Sequence, residues 1–117
     1  MQNSIWTIFH RTGRYSLEFA PEWRRFVCWG GMAESVQGAD GNGNGKNRLT
    51  LRIRSRFAIL RDEQGAPVTA EEAEISPGDL VTAGETDSPG EQACWRITAV
   101  TAERGSGLVE GIVITAE

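Results

Sequence analysis

The sequence predicts a mainly β protein: a small antiparallel β-barrel or sandwich of about six to seven short strands, with one short helix and a long Gly/Asn-rich loop. The first observation behind this is strict alternation in "NRLTLRIRSRF", where Leu49, Leu51 and Ile53 face one side and Thr50, Arg52 and Arg54 the other. The second is punctuation: 14 glycines and 4 prolines break the chain into short runs. The third is the scarcity of helical windows, since only residues 68–75 combine a capping pattern with Ala/Glu-rich sequence.

Taken in order, "SIWTIFHR" is a strand by its β-branched and aromatic content, and "TGR" a turn. "YSLEFA" alternates Tyr15, Leu17 and Phe19 against Ser16 and Glu18, as a half-buried strand pairing back on the first, and Pro21 ends it. "EWRRFVCWGG" is a third strand that the glycine pair terminates, with Trp23 outside its apolar run. After "MAESVQ" comes the glycine-rich stretch at residues 38–45, then the alternating strand already described, then a turn at "RDEQGAP". In "VTAEEAEI" Thr69 is placed as N-cap and Glu72 three residues on completes a capping box, for a helix of one or two turns. "SPGDLVTAGE" reads as a turn at Pro77, Gly78 and Asp79 followed by a short strand that Gly84 closes. A second loop, "TDSPGEQA", leads to a terminal hairpin, "CWRITAVTAER" and "LVEGIVITAE" around "GSG", in which Trp95, Ile97 and Ala99 alternate against Arg96 and Thr98. No repeat or linker divides the chain, so residues 1–117 form a single β-rich domain.

Composition narrows the function. A net charge of -4 argues against a free-standing nucleic-acid binder, which needs a basic surface for phosphate. Eleven of the 12 basic residues are Arg, and Arg52, Arg54, Arg56 and Arg61 gather in one segment, either as a local basic stripe or as a solvated strand face. The two cysteines, Cys28 and Cys94, lie in apolar strand-like surroundings and read as buried free thiols, a single disulfide being the alternative. The N-terminal segment lacks a charged region ahead of its short apolar run, and no run approaches a membrane helix, so use inside a cell is expected.

Candidate chemistry fails on residue count and spacing. "DGNGNG" opens like a calcium loop, with Asp40, Asn42 and Asn44 at alternate positions, but the twelfth position, where a bidentate carboxylate belongs, is Leu51. His10 is the only histidine and stands at a strand end, with nothing to place a nucleophile beside it. Glu71, Glu72 and Glu74 are accounted for as solvated residues in the first turn of a helix. No metal or cofactor is expected. Among the four tryptophans, Trp6, Trp29 and Trp95 sit inside strand runs and read as core, whereas Trp23, between "PE" and "RR", is the candidate exposed anchor.

The series "WTIFHR", "NRLTLRIR", "SPGDLVTAGE", "WRITAVTAERGSG" and "LVEGIVITAE" resembles, in that order, a group of short phage and prophage proteins of Gram-positive bacteria, the head-tail connector proteins of head-closure, adaptor or tail-terminator type. The matching stretches are "TIFHR" at residues 7–11, "PGDLVTAG" at 77–84 and "ITAVTAERGSG" at 97–107; Ala102 and Glu103 stand where Asp-Asn is common in that group. The resemblance implies a small β-barrel that is not an enzyme and assembles in the virion. It would form a ring of copies of itself and contact portal, adaptor or tail proteins, with neither membrane nor sequence-specific nucleic acid as partner. Its place would be the bacterial host cytoplasm during assembly and then the virion.

On that expectation Trp23, Asp40, Asn42, Asn44, Arg52, Arg54 and Arg56 form the assembly interface, the arginines meeting acidic surface such as Glu71, Glu72 or Glu74 of an adjoining copy. The stretch at residues 38–45 is expected to order on assembly. The alternative is a small β-barrel module that binds single-stranded nucleic acid or carbohydrate through exposed aromatics.

Overall fold

Alternation on a strand becomes a barrel wall when the same side of every strand is apolar. In the computed structural model, which describes residues 3–15, 21–39, 45–86, 94–105 and 107–117, that condition is met by eight strands and one short helix. The strands are β1 (Asn3–Tyr15), β2 (Pro21–Ala39), β3 (Gly45–Arg54), β4 (Ile59–Arg61), β5 (Pro67–Val68), β6 (Leu80–Ala83), β7 (Trp95–Gly105) and β8 (Leu108–Ala116). All pairings are antiparallel, and the sheet runs β1-β6-β7-β8-β3-β2-β4-β5 with β1 also paired to β2. That extra pairing closes a ring of β1, β6, β7, β8, β3 and β2, joined between β6 and β7 through the pairs of Trp95 and Arg96 with Val81 and Leu80.

The core fills this ring. Leu49, Leu51 and Ile53 of β3 are buried, as their alternation predicts, and meet Trp6 and Ile8 of β1, Phe26 and Cys28 of β2, Val81, Ile97, Ile112 and Ile114. Leu51, the twelfth position of the calcium-like loop, is therefore a fully buried core residue. Arg24 lies over the Phe26 ring at 4.9 Å, placing a guanidinium against the end of the core.

The helix α1 (Ala70–Ala73) forms where its capping signal stands. Thr69 Oγ1 accepts from Glu72 N at 3.1 Å, and Thr69 N donates to Glu72 Oε1 at 3.2 Å, so the expected capping box is complete. Ala73 and Ile75 turn inward and plug the core beside Val68 and Ala70. The turn ahead of β6 and the hairpin of β7 with β8 also form where the sequence places them.

The first two strands depart from expectation. "TGR" is not a turn: β1 runs through it, and the irregularity appears as a register shift between Arg11 and Tyr15 with Gly13 at φ 81°. Pro21 begins β2 rather than ending a strand, β2 is a partner of β1, and Tyr15, expected to open the second strand, is the last residue of β1. Leu17 and Phe19 lie outside the described residues. Nor does the glycine pair end its strand, since β2 continues through "MAESVQ" to Ala39.

Gly30 explains the continuation. Opposite β1, Ser4 pairs with Gly31 and Ile5 with Trp29, so Gly30 is an extra, bulged residue at φ 86°. A Cβ on Gly30 would fall 2.3 Å from the Phe57 carbonyl oxygen, so the backbone of residues 57–58 lies directly against it. The bulge keeps Phe26 and Cys28 facing inward before it and Gly31 and Ala33 facing inward after it. It also lets one strand serve two neighbours on one edge: β3 pairs from Met32 onward and β4 pairs with Val27, Cys28 and Trp29.

A second bulge, at Thr98, breaks the alternation in β7. Ile97 faces Ala116 and Ala99 faces Thr115, so Ala99 emerges exposed instead of continuing the inward row of Ile97, while Thr98 Oγ1 donates to Thr115 O at 3.1 Å.

Candidate interaction surface

The outer face of β2 is where the barrel presents apolar side chains to solvent. Residues 25, 27 and 29 point outward, opposite to Phe26 and Cys28, and the register sets Ile5, Trp29 and Ile59 side by side across β1, β2 and β4. Trp29 is 47% exposed, Ile59 49% and Phe57 64%, and these are the exposed large hydrophobic residues among the described ones. Phe57 joins the same corner, because its backbone abuts Gly30 and inward-facing Ala58 separates it from Ile59.

Neighbouring outward positions carry arginines. Arg52 and Arg54 leave β3 on its outer side and border a groove of about 260 Å³ with Met32, Glu34 and Thr50. Arg54 and Arg56 border a second groove, of about 300 Å³, with Phe57 on their side and Glu103 and Glu110 also in its lining. In it the Oε1 atom of Glu103 is buried without a hydrogen-bond partner, and the Glu110 carboxylate lies so close over Gly105 that a Cβ there would sit 2.5 Å from it. Arg61 projects on the same face of β4 as Ile59 and donates from Nη1 to Gly65 O at 3.0 Å.

Of the residues expected at an assembly interface, the structure gathers Arg52, Arg54 and Arg56 around this corner. Trp23 is elsewhere: it is half-buried and pairs with Arg11 in a part of β2 about 30 Å along an extended strand from Met32, the partner of Arg52. Asp40, Asn42 and Asn44 lie outside the described residues, while the flanking Gly38, Ala39 and Gly45 belong to β2 and β3. Trp29 is a correction. It was expected in the core with Trp6 and Trp95, but only Trp6 is buried and Trp95 partly so. The signal that could have found it is its parity with Val27 rather than Cys28, hidden because every residue of "FVCW" is apolar.

Asp79 is the other residue whose role composition did not show. It is 2% exposed, and its carboxylate accepts from Arg11 N at 3.0 Å, from Ser76 N at 2.9 Å and from His10 Nδ1 at 2.8 Å. Its own backbone closes the seam, with Ile97 N donating to Asp79 O at 2.8 Å. The turn carboxylate thus binds β1 to the turn ahead of β6 and to β7. His10, expected at a strand end, instead lies within β1, half-buried as one member of this pair, with a side chain 15% exposed. Its other ring nitrogen makes no hydrogen bond among the described residues, so the pair reads as a structural tie.

Both cysteines are free. Burial pushes the Cys28 thiol up to about 11, against the opposing effect of a backbone hydrogen bond at Gly31. Burial also raises Cys94, opposed by a hydrogen bond with the Thr82 side chain. A raised thiol is mostly protonated at neutral pH and a poor nucleophile. Among the described residues no three His, Cys, Asp or Glu side chains converge as a metal site would require, and no helix is long and apolar enough to cross a membrane.

The geometry defines a small closed antiparallel barrel whose distinctive outer feature is an aromatic and arginine-bearing corner. The chain matches no protein-family model, no curated protein and no solved structure.

Proposed function

We propose that the protein is a structural, non-enzymatic subunit of a phage or prophage virion, of head-closure, adaptor or tail-terminator type. It acts by forming a ring with copies of itself and by contacting portal, adaptor or tail proteins, in the host cytoplasm during assembly and then in the virion. One observation carries the reading: the exposed large hydrophobic side chains of the described residues, Trp29, Phe57 and Ile59, are gathered at one corner with arginines beside them. Trp and Arg are the residue types that carry most binding energy at protein interfaces, and an apolar corner of this kind is stabilised when a partner covers it. The resemblance of its turn and strand series to the connector group supports this class of partner.

The test is reconstitution. Purified protein mixed with the products of neighbouring genes is expected to give rings or a stable complex in single-particle images and size-exclusion chromatography. A monomer that stays inert under all such mixtures overturns the proposal.

The second reading, a module for single-stranded nucleic acid, draws on the same corner, since Trp29 and Phe57 beside arginines could stack bases. It requires affinity that falls steeply with salt.

A further inference from the structure

The net charge of -4 hides a sharp division along the chain. Residues 46–61 contain six basic side chains, Lys46, Arg48, Arg52, Arg54, Arg56 and Arg61, and no acidic one. Residues 62–95 contain nine acidic side chains and no basic one. Within these blocks Arg56 is exposed and makes no ion pair among the described residues, and exposed Arg61 reaches only a backbone carbonyl.

Within the acidic block, α1 presents Glu71 and Glu74 outward, with no basic residue in its last turn. Glu72 is held in the capping box, and Glu74 is the C-cap at φ 54° with its N–H bonded to Glu71 O, so the turn is ordered before any partner arrives. A pre-ordered turn loses little conformational entropy on docking.

We infer that the Trp29, Phe57 and Ile59 corner is one half of a contact between two copies of this chain, and that the other half is the acidic turn at Glu71 and Glu74 of the second copy. Arg56 and Arg61 lie beside Phe57 and Ile59 respectively, so carboxylates arriving there meet cations at the rim of an apolar centre. The rim sets orientation and encounter rate, while burial of the aromatic and aliphatic centre supplies most of the affinity. This contact rests on the assembly reading and specifies which surfaces of the chain meet.

Charge exchange tests it. Sedimentation velocity is run on the full chain over a concentration series, at low and at high salt. Expected are self-association of the natural sequence that weakens as salt rises, and a loss of about tenfold or more in affinity for R56E/R61E, for E71K/E74K and for Trp29→Ala, each with an unchanged circular dichroism spectrum. The chain carrying all four charge reversals is expected to regain association, because attraction is restored with opposite sign. That recovery also separates the contact from mere loss of folding.

Undiminished association in both charge-reversed pairs overturns the contact and leaves the assembly reading standing. So does a chain that is monomeric alone yet joins the complex with portal or tail proteins. If it forms neither self-contacts nor that complex, the assembly reading itself fails. An oligo-dT strand bound tightly at low salt and released by Trp29→Ala also overturns the contact, assigning the corner to nucleic acid.

Discussion

Two neighbouring parts of β2 differ in their cover. Val27 is buried, whereas Trp29, two residues on along the same outer face, stands 47% exposed. The strand itself does not distinguish them, since both are apolar and paired with β1 and β4. What differs is the chain laid outside. Thr7, on the outer face next to Val27, donates from Oγ1 to Gly84 O at 2.6 Å and accepts from Thr86 N at 3.0 Å, and Arg25 reaches Thr86 O at 3.5 Å. Gly84 and Thr86 thereby lie over the wall beside Val27, whereas Trp29 and Ile59 on the same face stand about half exposed.

Truncation separates the two parts most sharply. Phe26→Ala, on the inward face beside Val27, removes a fully buried ring from the core and is expected to cost about 3–5 kcal/mol, measured by urea denaturation with an unchanged slope.

Titration of Cys28 gives the next effect. Its thiol ionises near 9 when exposed and near 11 in the folded barrel, so below pH 9 its contribution is fully present, and it is lost as pH rises from about 9 to about 11 because only the unfolded chain gives up the proton. The fall attributable to this group is about 2–3 kcal/mol, and it should vanish from the pH profile of Cys28→Ala, whose baseline stability is itself lower.

Trp29→Ala, on the bare side, is expected to shift stability by less than about 1 kcal/mol in the same denaturation measurement, despite deleting the larger side chain. A loss as large as that of Phe26→Ala would show that the corner is internally supported and not a free surface.

Where one face alone is buried, the sequence reads directly. Leu49, Leu51 and Ile53 alternate with Thr50, Arg52 and Arg54 because β3 has solvent on its outer side. The helix cap is equally legible, since Thr69 and Glu72 satisfy one another locally. The extents of β1 and β2 were not, because a glycine at positive φ serves a turn and a bulge alike, and only the partner strand decides which. Gly13 and Gly30 both took the bulged alternative. The exposed corner was half legible: the arginines follow from alternation, but Trp29 stands in an unbroken apolar run whose two faces look the same. Asp79 was placed in its turn correctly, yet its buried role depends on donors from residues 10 and 11, nearly seventy positions away.

The bulge at Gly30 also acts as a frame-keeper for the strand. Because facing direction repeats every second residue, an unbulged strand running through Gly30 would rotate everything beyond it by half a period. Glu34 and Met32 would then point at the core, and Gly31 and Ala33 at solvent, while the part before it stayed in phase with β1. Loss of Gly30 alone would set Gly31 directly after Trp29 and keep every facing direction in an unbroken alternation, whereas loss of Gly30 and Gly31 together would reverse all that follows, so for this strand two missing residues are a larger injury to its pattern than one.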